Sequence, residues 1–157
     1  MKLHFYRMEL DDQSLPVMVR EEAAYCVDGR CKYHNPEKVF DLAKSIRLPE
    51  RAEEYLYMAC LDGSSHCIGL CEVSHGTVNS SLIGAREVFQ RALLMGAVNI
   101  ILIHNHPSSD TTPSNADIAV TKNLIEAGEM IGVPVLDHLI VGRYDFTSLR
   151  EEGYFKK

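Results

Sequence analysis

The chain has 157 residues, 46% of them hydrophobic and 24% charged, with a formal net charge of −6. That length suits one domain whose core needs no disulfide staples, and the composition is that of an ordinary globular protein. No apolar run approaches the ~20 residues of a membrane span. Lys and Arg are scattered rather than clustered, which argues against a duplex-binding surface.

Residues 1–35 read as an N-terminal extension. Met1 to Arg7 has no long apolar core and no small-residue cleavage site, so no export signal is read and the cytoplasm is the expected compartment. The cysteines, Cys26, Cys31, Cys60, Cys67 and Cys71, are odd in number and are expected as reduced thiols. Cys26, Cys31 and His34 offer a second, looser metal set, although their spacing does not match a zinc knuckle. Residues 15–27 read as extended, with a turn at Gly29. Asn35 caps a helix that opens at Pro36, carries Val39, Phe40, Ala43, Ile46 and Arg47 at helical spacing, and ends at Leu48-Pro49.

Two strands follow, Glu54–Leu61 and His66–Val73, joined at Asp62-Gly63 as a hairpin. Cys67 and Cys71 fall in the second strand and need not pair. Gly76-Thr-Val-Asn-Ser-Ser81 is a polar segment leaving the sheet, either lining a substrate groove or forming a turn. The helix expected from Ala85 to Met95 places Val88, Phe89, Ala92 and Leu93 on one stripe and closes at Gly96.

Residues 98–117 organise the rest. Val98-Asn-Ile-Ile-Leu-Ile103 leaves no polar face and reads as a buried strand of a parallel-type sheet. At its end a side-chain period of two puts His104 and His106 on one side and Asn105 on the other. Pro107 stops the strand, a polar turn follows, and a helix runs from about Ser114 to Met130 with Ile118, Val120, Leu124 and Ile125 toward the core. Ser114 and Asp117 have a plain reading as a helix cap. They also place a carboxylate where two imidazoles can meet it, and three such ligands with an open position hold a catalytic zinc. Val133–Val141 is a further strand. Its apolar run is broken by Asp137-His138, which either ties the core by hydrogen bonds or supports the metal site. Tyr144-Asp-Phe reads as a sheet edge. No linker, repeat or low-complexity run divides residues 1–157, so a single domain is expected.

The spacing of His104, His106, Ser114 and Asp117 resembles the JAMM (MPN+) metallopeptidase motif. Gly76–Ser81, Arg86-Glu-Val-Phe89, His104-Asn-His-Pro-Ser108 and Leu136-Asp-His-Leu-Ile-Val-Gly142 resemble the RadC branch, over about residues 36–150. The resemblance implies an α/β fold of three layers, a mixed β-sheet flanked by helices, of the JAMM/MPN (cytidine-deaminase-like) type. It implies one zinc per chain on His104, His106 and Asp117, with Ser114 donating to an oxyanion. The family's catalytic glutamate heads the first core strand, which favours Glu54; Glu53, Glu72 and Glu87 are its rivals. The activity implied is cleavage of an amide or isopeptide bond in a peptide or protein.

RadC proteins are often labelled DNA repair proteins, and full-length members commonly carry an N-terminal helix-hairpin-helix segment. Residues 1–35 show no Gly-rich hairpin of that kind, and the net charge makes nucleic acid a poor partner. Two other classes stay open: a metal-dependent nuclease or amidohydrolase, and a non-catalytic interaction module. The metallo-lactamase pattern His-x-His-x-Asp-His is absent. Oligomeric state is not legible, although exposed sheet edges can pair. Two departures from the family pattern stand out. Ser109 replaces a glycine after His-Pro-Ser, and Gly84-Ala85 replaces a His-Pro before Arg86.

Overall fold

The computed structural model describes residues 2–26, 31–76 and 83–155, with the backbone alone for 22–26. Its elements are β1 (Lys2–Leu10), β2 (Pro16–Cys26), α1 (Pro36–Ser45), β3 (Tyr55–Leu61), β4 (Cys67–His75), α2 (Ala85–Leu94), β5 (Asn99–Asn105), α3 (Asn115–Ile131), β6 (Val135–Val141) and β7 (Phe146–Ser148). The strands form one mixed sheet in the order β2-β1-β4-β3-β5-β6-β7. β3 runs antiparallel to both β4 and β5, and β5 runs parallel to β6.

Apolar residues on both faces of the central strands demand a cover on each side. Val39, Leu42 and Ala43 of α1, with Ile46 just after it, pack on Tyr57, Ala59, Ile101, Ile103 and Leu139. On the other face, Val88, Phe89 and Ala92 of α2 and Val120 and Leu124 of α3 pack on Leu56, Met58, Ile100 and Leu102. The result is the expected three-layer α/β arrangement. The helices approach closely at Gly128, where a Cβ would stand 2.7 Å from the Val133 carbonyl and 3.0 Å from the Phe89 ring.

Local signals set most of the boundaries. Asn35 caps α1 by accepting from Lys38 N–H at 3.1 Å. Beyond Ser45 the chain turns into a short 3-10 segment, Leu48–Glu50, through Arg47 at φ +58°. Gly132, at φ +82°, closes α3. Cys31, Cys60, Cys67 and Cys71 are unpaired thiols. The turn expected at Gly29, the side chain of Cys26 and most of Gly76–Ser81 lie outside the described residues. No described helix is long and apolar enough to cross a membrane.

The structure corrects several expectations. Residues 2–10, for which no strand was expected, form β1, which pairs antiparallel with β2 and inserts beside β4, with Phe5 opposite Leu70 and Tyr6 opposite Cys71. Arg47 leaves the buried stripe of α1 because the helix has already ended, and it pairs with Glu50. Leu93, placed on the buried stripe of α2, is 56% exposed. On α3 the fully buried face is Asp117, Val120, Thr121, Leu124 and Gly128, with Ile118 and Ile125 only half-buried at its margin.

Candidate metal centre

Three elements converge at one end of the central strands. His104 lies near the end of β5, directly opposite Leu56 near the start of β3. His106 follows the strand, its N–H bonded to the Val141 carbonyl at 3.0 Å, so the chain still tracks β6. The loop then reverses through Ser109, whose N–H returns to the His106 carbonyl at 2.9 Å. Ser109 holds φ +60°, the left-handed region that favours glycine and costs other residues ~1–2 kcal/mol. Its Oγ accepts from Arg143 N–H at 3.2 Å, which ties the strained loop to the end of β6.

The loop delivers Ser114 to the N-terminus of α3. Ser114 Oγ accepts from Asp117 N–H at 3.1 Å, and the Asp117 carboxylate accepts from Ser114 N–H at 2.8 Å and from its hydroxyl at 2.6 Å. This is a complete capping box. The cap and the ligand reading are therefore not rivals: the same bonds that start the helix orient the carboxylate.

Asp117 and His104 are both 1% exposed, and His106 is half-buried. Asp117 Oδ1 stands 3.0 Å from His104 Nδ1, and Oδ2 stands 3.5 Å from His106 Nε2. One ligand atom from each residue lies within 4.8 Å of the others, an arrangement that can hold a metal ion. The histidine nitrogens support that fit. His106 Nδ1 donates to the Asp110 carbonyl at 2.6 Å, which leaves Nε2 as a lone pair facing Asp117. The His104 contact with Asp117 is close but not aligned as a hydrogen bond, and neither buried ring nitrogen of His104 has a hydrogen-bond partner. Buried imidazole nitrogens without partners are costly unless something else is bound there.

The electrostatics agree. Burial pushes the Asp117 carboxyl up, but the facing His104, His106 and Ser114 side chains outweigh it and hold the group far below the usual carboxylate range. Asp117 raises the His106 imidazole above its ordinary value, against the effect of burial. The carboxylate is therefore ionised, as a ligand must be.

Of the four candidate glutamates, Glu54 is the one the fold brings to this cluster. Its Oε2 lies 3.9 Å from His104 Nε2, with the side chain 35% exposed. Glu53 turns away to His75 Nε2 at 2.5 Å. Glu72 accepts from the Tyr57 hydroxyl at 3.3 Å. Glu87 folds back over Gly84 at the start of α2, a helix with no side-chain cap.

The Asp137-His138 pair divides between the two faces of the sheet. Asp137 accepts from the Ser148 hydroxyl at 2.7 Å and from Arg150 N–H at 3.2 Å, tying the chain after β7 to β6. His138 faces the metal side. The Thr121 hydroxyl donates to the Asp117 carbonyl at 2.6 Å, so it accepts from His138 Nδ1–H at 2.7 Å. Sequence reasoning missed Thr121, whose signal was available: it sits one helical turn after Asp117 and so shares its face.

Residues 33–154 match the RadC-like JAB domain family. A UPF0758 protein of Pelobacter propionicus is 42% identical over 122 residues, covering 78% of this chain and 53% of that protein. A UPF0758 protein of Methanosarcina barkeri is 34% identical over 139 residues, covering 88% and 60%. One of Desulforamulus reducens is 42% identical over 134 residues, covering 85% and 59%. The chain thus spans between half and three-fifths of the length of these relatives. A family match that takes in α1, the hairpin and all the residues of the cluster leaves one conclusion: this chain belongs to the RadC-like JAB domain family.

Proposed function

We propose that this domain is a zinc-dependent hydrolase that cleaves an amide or isopeptide bond in a peptide or protein. The observation that carries the reading is the meeting of two imidazoles and one ionised carboxylate within 4.8 Å, with the Glu54 carboxylate 3.9 Å from the nearer imidazole. Two nitrogens and one oxygen suit zinc. His104, His106 and Asp117 would hold the metal, which would supply Lewis acidity toward a water and a substrate carbonyl. Glu54, partly exposed at the rim, takes the proton and passes it to the leaving nitrogen, acting first as base and then as acid. The Ser114 hydroxyl donates a hydrogen bond to Asp117 in the resting arrangement. Its proposed role is to turn that donor toward the oxyanion of the tetrahedral intermediate. The net charge of −6 and the scattered cations favour a polypeptide substrate over a nucleic acid.

Elemental analysis of wild type beside His106→Ala and Asp117→Ala tests the site. About one zinc per chain is expected in wild type, and well below that in both variants. Metal-loaded protein is then screened against isopeptide-linked and peptide substrates. Glu54→Gln is expected to keep the metal and lose at least ~100-fold in rate. Metal absent from wild type removes the hydrolase reading, and cleavage of DNA but not of peptides replaces it with a nuclease.

A further inference from the structure

Asn105 stands between the two histidines, 1% exposed, with its side chain turned to the other side of the strand. Its Oδ1 accepts from Tyr55 N–H at 2.7 Å, and its Nδ2 donates to the Glu53 carbonyl at 3.0 Å. Those are the peptide groups on either side of Glu54. The Glu54 carbonyl is held from the β4 side by Gly76 N–H at 2.9 Å.

The register explains why a side chain is needed here. The β3–β5 ladder ends at the pair Leu56 and His104. Glu54, two residues before that pair, lies outside any strand, so the ladder does not set its position. A carboxamide offers one acceptor and one donor, and so can bridge the two peptide groups that flank residue 54. Aspartate keeps the shape and the acceptor but loses the donor. Alanine loses both.

We propose that Asn105 is a positioning residue for Glu54: its carboxamide clamps the backbone on both sides of residue 54 and fixes where the Glu54 carboxylate stands relative to His104, His106 and Asp117. The proposal rests on the reading of Glu54 as the base. It gives the three residues His104-Asn-His106 a single logic. The period of two sends the histidines to the metal face and the asparagine to the strand that carries the base. One segment thereby sets both the ligands and their distance from the proton acceptor.

The test uses protein loaded with Co2+ alone, whose visible spectrum reports the ionisation of the metal-bound solvent. Wild type, Glu54→Gln, Asn105→Ala, Asn105→Asp and the double variant Glu54→Gln/Asn105→Ala are titrated with Co2+ and then with base. Circular dichroism checks folding, and Asn105→Asp serves where Asn105→Ala does not fold. Both Asn105 variants are expected to bind Co2+ within about fivefold of wild type. They are expected to move the spectral midpoint in the same direction as Glu54→Gln, and the Asn105→Ala change is expected to add nothing in the double variant. Asn105 variants that keep the wild-type midpoint beside a shifted Glu54→Gln overturn the proposal and leave the base reading standing. A loss of Co2+ affinity of ~10-fold or more, or full additivity in the double variant, assigns Asn105 to ligand geometry and also overturns it. An unmoved midpoint in Glu54→Gln removes the base reading and the proposal together.

Discussion

His138 is buried on the metal side of the sheet, with its Nδ1–H given to Thr121 and its Nε2 without a hydrogen-bond partner. Burial, with the nearby His104 adding to it, depresses its pKa to about 3. The sign of the consequence follows from proton counting. Below pH ~6.5 the unfolded chain protonates this imidazole while the folded chain does not, so the unfolded state binds more protons. The stability contributed by a neutral His138 is therefore present above pH ~6.5 and is lost as pH falls toward 3. His138→Asn keeps a donor for Thr121 and removes the titration. In metal-free protein, denaturant unfolding between pH 7 and pH 4 should show the stability of wild type falling relative to the variant by on the order of 2–3 kcal/mol. Parallel curves would mean that His138 is protonated in the fold. At this scale the sequence was legible where a residue's chemistry depends on its own type and spacing, as for His104, His106 and Asp117. Helical spacing also puts Thr121 on the face of Asp117, but its bond to His138, like the role of Asn105, depends on which ring or backbone the tertiary register places opposite.

The N-terminus of α3 carries two duties at once, and a pair of cap substitutions separates them. Asn35 caps α1 and Ser114 caps α3 in the same way, each accepting from the N–H three residues on. Removing either acceptor should cost ~1 kcal/mol in the metal-free protein. Ser114→Ala also strips two contacts from the Ser114–Asp117 pair, including the donor that orients the carboxylate, so zinc affinity should fall ~10-fold or more. Asn35→Ala should leave zinc affinity unchanged. Calorimetric titration of both variants decides it, and equal zinc affinities would reduce Ser114 to a cap. The capping residues, the β3–β4 hairpin and α2 were readable because their signals are local. The buried face of α3 was read around its aliphatic residues, whereas the helix turns so that Asp117, Val120, Thr121, Leu124 and Gly128 point inward. An inward carboxylate fixes that rotation, and a reading weighted on hydrophobicity does not see it. β1 escaped notice for a related reason. Its sequence, KLHFYRMEL, alternates weakly, and its place beside β4 comes from a parallel pairing across some 65 residues of chain.

Across the whole molecule, the centre joins β3 and β5, which bury residues on both faces of the sheet, to α3, which covers one of them. Without metal, the meeting point buries a carboxylate between two imidazoles, one of which has no hydrogen bond to either nitrogen. An ion bound only by the folded arrangement stabilises it by mass action, about 2.7 kcal/mol when free zinc exceeds its dissociation constant 100-fold. For a chain of this length that corresponds to a rise in Tm of roughly 5–10 °C. Thermal unfolding with zinc, and again after chelation, should show this rise and its reversal in wild type. His106→Ala and Asp117→Ala should unfold at the same temperature with or without zinc. A shift of the same size in both variants would place the stabilising ion elsewhere, and Cys31, half-buried and unpaired near the start of α1, would be the next residue to replace. A shift confined to wild type would mean that the same three side chains hold the metal and tie the sheet to α3, so that any substitution loosening this corner weakens stability and metal binding in proportion.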